Sequence, residues 1–151
     1  MKDGFLKAAA LSPALRVADC AYNTRQILTE LRAAAARGVK LAVFPEFCLT
    51  GYTCGDLFAQ QLLLEEAEMG LMQILNSTRQ LDIISIVGMP VPLNGVLLNT
   101  AVVIQKGRLL GIVPKTYLPN YKEFYEKRWF TSACEVSETS ARPVSYTHLT
   151  L

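Results

Sequence analysis

The chain has 151 residues, of which 51% are hydrophobic, and a formal net charge of +2. That length supports one core and is short for two ordinary domains; the composition excludes a disordered or collagen-like chain. The small basic excess is scattered, which argues against a nucleic-acid surface built from clustered Lys and Arg. No apolar run approaches the ~18–20 residues that span a bilayer, and the start carries no leader with a long apolar centre. Cys20, Cys48, Cys54 and Cys134 form no ligand-spaced set with the single His148, so no metal is expected. A reducing, cytoplasmic compartment and no membrane or nucleic-acid partner are the expectations.

Phe5 to Leu11 reads as a first strand, limited by Pro13. Ala21 to Arg37 places Ile27, Leu31, Ala34 and Ala35 on one helical stripe, and Arg37-Gly38 closes it. Val39 to Phe44 fits a strand buried on both faces, stopped by Pro45. Leu57 to Thr78 predicts a second amphipathic helix with Leu63, Leu64, Ala67, Leu71, Ile74 and Leu75 on its apolar side. Ile83 to Met89 predicts another buried strand. Leu97 to Ile104 and Arg108 to Val113 predict a hairpin turning through Gln105-Lys106-Gly107. This order is α/β, with helices packed on a mixed sheet.

Residues 131–151 hold 8 Ser/Thr among 21, against 10 among the first 130, and the periodic pattern stops. Residues 4–132 are therefore expected to form the ordered domain and 133–151 a disordered or non-native tail, a native flexible loop being the alternative.

Two charged residues each follow an apolar strand and a proline. Glu46, in Val43-Phe44-Pro45-Glu46-Phe47, lies where α/β enzymes gather their sites; partial burial there raises a carboxyl's pKa and suits it to general-base work. Lys115, in Val113-Pro114-Lys115-Thr116-Tyr117, is placed to hold an oxyanion. Taken singly, Glu46 also fits a capping loop acid, and Lys115 a solvated strand-end lysine. Tyr121 to Phe130 is dense in aromatics and charges, and fits either a binding wall or a packed amphipathic helix.

In combination the wording is more specific. Phe44-Pro45-Glu46, followed by Leu49-Thr50-Gly51-Tyr52 and Gly55-Asp56-Leu57-Phe58, resembles the carbon–nitrogen hydrolase (nitrilase) superfamily. Pro114-Lys115 through Phe130 is similar in particular to the glutaminase domain of glutamine-dependent NAD synthetases, as is Ala10 to Asn23. The resemblance covers about residues 4–132.

The resemblance implies the N-terminal half of a four-layer α-β-β-α sandwich and a Cys-Glu-Lys triad. Glu46 matches the general base, Lys115 the oxyanion lysine, and Glu123 a second glutamate near that lysine. Tyr121, Phe124 and Tyr52 match the wall of the glutamine pocket. The family nucleophile lies on a later strand; Cys20, Cys48 and Cys54 come too early, and Cys134 follows the lysine too closely. The chain alone is thus expected to be inactive. No cofactor is implied for this domain. In the parent enzyme a C-terminal synthetase domain receives the ammonia and uses ATP and Mg²⁺ to convert deamido-NAD to NAD, in an assembly expected to be a homo-oligomer. The rival readings are a stand-alone amidase, nitrilase or carbamoylase of the same superfamily, and a non-catalytic nitrilase-like interaction module.

Overall fold

The computed structural model describes residues 4–136, 140–144 and 147–150. Strand β1 (Ala8–Ala10) leads into helix α1 (Cys20–Ala36), which starts where the Asp19 carboxylate accepts the Tyr22 N–H at 2.9 Å, satisfying one of the free donors of a first turn. The helix buries Ile27, Leu28, Leu31 and Ala34. Strand β2 (Leu41–Val43) then inserts parallel between β1 and β3 (Ile84–Leu93).

The helix expected over Leu57–Thr78 is two elements: a 3-10 turn at Gly55–Ala59 and helix α2 (Gln61–Ser77). The break falls at Gln60, whose ψ of 124° is extended. Phe58 is thereby turned into an aromatic cluster with Phe47, Trp129 and Phe130, off the α2 stripe. Strand β3 runs four residues beyond the expected Met89 and folds back through Asn94-Gly95 into β4 (Val96–Gln105), which turns through Lys106-Gly107 into β5 (Arg108–Pro114).

The sheet order is β1-β2-β3-β4-β5, parallel across the first three strands and antiparallel across the last three. Ala42, Val87, Val102, Ile104 and Ile112 are buried on the face that the helices cover. The alternate positions Val43, Ile86 and Val103 lie opposite one another on the other face, and Val113 joins them; Val43 and Val113 are exposed. Within 133–151, expected as a disordered or non-native tail, the backbone forms a 3-10 turn at Ala133–Glu135 and a separate antiparallel ladder of β6 (Ser140–Val144) and β7 (Thr147–Thr150). Residues 137–139, 145, 146 and 151 of that stretch lie outside the described residues.

Candidate active site

Glu46 sits in the loop that leaves β2, and this loop lies directly on β3 at Gly88. A Cβ added at Gly88 would stand 2.5 Å from the Phe47 nitrogen, 2.7 Å from the Pro45 oxygen and 2.9 Å from the Glu46 Cα. Only glycine permits that approach. The loop is tied down where it crosses: the Leu49 N–H donates to the Gly88 oxygen at 3.3 Å, and the Gly88 N–H to the Cys48 sulfur at 3.3 Å. Phe47 takes a positive φ of 51° and buries its ring, stacked on Phe130 with centroids 4.9 Å apart.

Lys115 follows β5, with its N–H donating to the Asn99 oxygen at 2.8 Å. Its ammonium reaches across the strand ends and donates to Glu46 Oε1 at 2.8 Å and to Glu126 Oε1 at 3.1 Å. Burial works against this ammonium, but the hydrogen bonds and charges of Glu46 and Glu126 outweigh it and push the Lys115 pKa up. Glu126 is 3% exposed and fully engaged: its Oε1 also accepts the Tyr52 hydroxyl at 2.8 Å, and its Oε2 the Asn99 side-chain amide at 3.3 Å. Burial, then the bond to the Glu126 carboxylate, push the Tyr52 phenol well above its ordinary pKa, so Tyr52 stays a donor. Glu46 is about half exposed, and among the described residues its Oε2 has no partner. A lysine has three N–H donors; two of those on Lys115 are engaged here.

Glu46 and Lys115, singled out from sequence, are thus in contact. Glu123 is not beside the lysine: it is exposed, and Glu126, three residues on, makes the contact. Three residues is close to one helical turn, and the turn at Glu126–Arg128 carries Glu126 inward while Glu123 faces a cavity of about 230 Å³. Tyr52 and Phe124 line the same cavity with Phe47, Phe58 and Phe130. Tyr121 does not line it; its ring packs edge-on against Phe124 at 5.7 Å. A second cavity of about 270 Å³ runs from Val43, Ile86 and Val113, on the sheet face opposite the helices, to Glu46 and Lys115.

Among the described residues no thiol touches Glu46 or Lys115. Burial pushes Cys20 and Cys48 up to about 12 and raises Cys54, so all three are inert neutral thiols. Cys134 is exposed, next to Ala133, whose N–H donates to the Lys115 oxygen at 3.1 Å. Among the described residues no cluster of three His, Cys, Asp or Glu side chains is placed to hold a metal ion, and no helix is long and apolar enough to cross a membrane.

Three contributors went unread in the sequence. Gly88 and Asn99 had signals: a glycine within the apolar run Ile83–Met89, and an amide within the apolar run Val96–Ile104. Glu126 had none separating it from Glu123.

A mixed sheet backed by helices, with a carboxylate–ammonium–carboxylate site at its strand ends, defines an α/β protein of nitrilase type. The carbon–nitrogen hydrolase family model matches residues 7–150, and the chain belongs to that family. It is 41% identical over 125 residues to a glutamine-dependent NAD(+) synthetase of Mycobacterium tuberculosis, covering 83% of this chain and 18% of that protein. The crystal structure of a glutamine-dependent NAD(+) synthetase from Cytophaga hutchinsonii superposes with a TM-score of 0.87 at 26% identity, over 95% of this chain and 24% of that one. An amidase from a Nesterenkonia species shares the fold, with a TM-score of 0.76 at 20% identity over 93% of this chain and 52% of that one. The chain therefore spans about a fifth of the length of the synthetases it resembles.

Proposed function

We propose that residues 4–132 are the first half of a glutaminase domain that supplies ammonia to the synthetase domain of a cytoplasmic, homo-oligomeric, glutamine-dependent NAD synthetase. The observation that carries this reading is the Lys115 ammonium held between Glu46 and Glu126 at 2.8 and 3.1 Å, in a chain similar to such synthetases over most of its length. Tyr52 and Phe124 form the glutamine wall, with Tyr121 and Glu123 at its rim. Glutamine is the substrate; ATP and Mg²⁺ act in the synthetase domain, and this domain uses no cofactor.

The nucleophile is a cysteine on a segment that faces the sheet beside Glu46. A free thiol near pKa ~8.5 is a weak nucleophile at neutral pH. Glu46, through Oε2, which has no partner among the described residues, takes the thiol proton as sulfur bonds to the amide carbon of glutamine. The carbonyl oxygen becomes an oxyanion, held by the remaining N–H of Lys115. Glu46 returns the proton to nitrogen, the C–N bond breaks and ammonia leaves. Water then attacks the thioester, Glu46 takes its proton and passes it to sulfur, and glutamate is released. Glu126 fixes the lysine.

Ammonia release from glutamine tests this. In the whole synthetase that this reading proposes, Lys115→Ala is expected to lower kcat by about 10²–10³, and Glu46→Gln to abolish turnover. Residues 1–151 alone are expected to release none; release abolished by Cys134→Ala would overturn the assignment of the nucleophile to another segment. Turnover of short aliphatic amides in preference to glutamine would favour a stand-alone amidase instead.

A further inference from the structure

The Tyr52–Glu126 bond has a neighbour that the proposed chemistry does not use. Asp56, in the 3-10 turn Gly55–Ala59, accepts three hydrogen bonds from two consecutive residues of the Glu126 segment. Arg128 grips it with Nε at 2.9 Å to Oδ1 and Nη2 at 3.3 Å to Oδ2, and the Trp129 indole N–H donates to Oδ1 at 3.0 Å. The side chains of Asp56 and Arg128 are 73% and 64% exposed. An exposed ion pair adds little to stability, yet a forked guanidinium and an indole on one carboxylate fix direction as well as distance.

The two loops are thus joined by two rungs, Tyr52 to Glu126 and Asp56 to Arg128 and Trp129. The inner rung ends on the carboxylate that holds Lys115; the outer rung sits two residues further along the same turn. Between them Phe58 packs on Trp129 and Phe130, with centroids 6.1 and 4.9 Å away. Ring packing tolerates sliding and rotation, so it holds the segment down without setting its rotation. The carboxylate fork sets it.

We propose that Asp56 is a positioning residue: its clamp on Arg128 and Trp129 fixes the rotation of the Glu126–Arg128 turn and so keeps Glu126 on the Lys115 ammonium. The proposal rests on the reading of Lys115 as the oxyanion lysine for its functional meaning, but its geometry is testable without turnover. Asp56 is held below the usual carboxylate range, first by the Arg128 hydrogen bond and then by the indole, so the clamp is closed at neutral pH.

The test is the titration of Lys115 in the full chain, followed by NMR of labelled lysine with Lys115→Arg as the assignment control. In Asp56→Asn, Lys115 is expected to titrate nearer the ordinary lysine value than in the wild type, because Glu126 drifts away, and the Trp129 indole resonance is expected to move. Asp56→Glu is expected to restore both in part. Trp129→Phe, which keeps a ring and removes the indole donor, is the second variant should Asp56→Asn not fold; it is expected to move Lys115 the same way. A chain of either kind that melts earlier yet titrates Lys115 at the wild-type value would reduce the clamp to a structural tie and overturn the proposal. Absence of glutaminase activity in the proposed whole synthetase would instead sink the functional reading and leave the titration standing.

Discussion

At the residue scale, Lys115 and Gly88 do opposite jobs for Glu46: one neutralises its charge and the other makes room for its backbone. The Lys115 pKa is raised in the folded chain by Glu46 and Glu126 against the opposing effect of burial. A folded value above the unfolded one means that the pairing stabilises fully below the unfolded lysine value, ~10.4. That contribution is lost as pH rises through the higher folded value. The stability of wild type relative to Lys115→Met, measured by denaturant unfolding across that alkaline window, is expected to fall with rising pH. A flat difference would mean that the ammonium is not held by its two carboxylates. For Gly88, three loop backbone atoms stand within 3.0 Å of the place a methyl group would take, and backbone cannot swing aside as a side-chain tip can. Gly88→Ala is expected to cost about 1–3 kcal/mol and to separate Glu46 from Lys115; a variant of unchanged stability would contradict the contact. Glu46 and Lys115 were legible because each is a lone charge after an apolar strand and a proline. The identity of the second acid was not, since only the rotation of a short turn separates Glu123 from Glu126.

At the element scale, the hairpin β3–β4 shows what periodicity conceals. Asn94-Gly95 is a strong two-residue turn signal, and both residues take positive φ, 47° and 84°. Pro90 and Pro92 lie within β3 just before it, although prolines argue against a central strand. In the structure the even positions of β3 turn their N–H and oxygen away from β4: the Ile84 N–H donates to the Lys40 oxygen, the Ile86 oxygen accepts from Phe44, and Gly88 bonds the loop at Cys48 and Leu49. Strand β2 stops at Val43, paired with Ile86. Pro90 and Pro92 therefore point their missing N–H where no strand runs, and the sheet loses no ladder bond. A Cβ at Gly95 would meet nothing within 4 Å, so Gly95→Ala carries a conformational cost alone, about 1–2 kcal/mol, readable as a shift of the urea midpoint at unchanged slope. A changed slope would place the effect in the unfolded chain instead. The single helix expected over Leu57–Thr78 is interrupted because Phe58 lies off the stripe of Leu63, Ala67, Leu71 and Ile74, and its aromatic partners from distant segments hold it in a turn of its own.

At the scale of the whole molecule, one sheet face is packed by α1 and α2 while the other presents Val43, Ile86, Val103 and Val113, with Val113 58% exposed. The cavity along that face ends at Glu46 and Lys115, so whatever covers the sheet also closes the site. Strands β6 and β7 of this chain lie beside β3 and β5, and under the proposed half-sandwich the rest of a second sheet would complete the cover. Where aliphatic side chains such as Val43 and Val113 stay exposed on that face, they form a surface for association. Residues 1–151 are expected to bind a hydrophobic dye and to self-associate in sedimentation experiments as concentration rises. Val113→Lys is expected to weaken both while changing unfolding stability by no more than about 0.5 kcal/mol, the usual range for surface substitutions. A wild-type chain that stays monomeric, melts cooperatively and binds no dye would show that this face needs no second sheet, and the half-sandwich reading would fall with it.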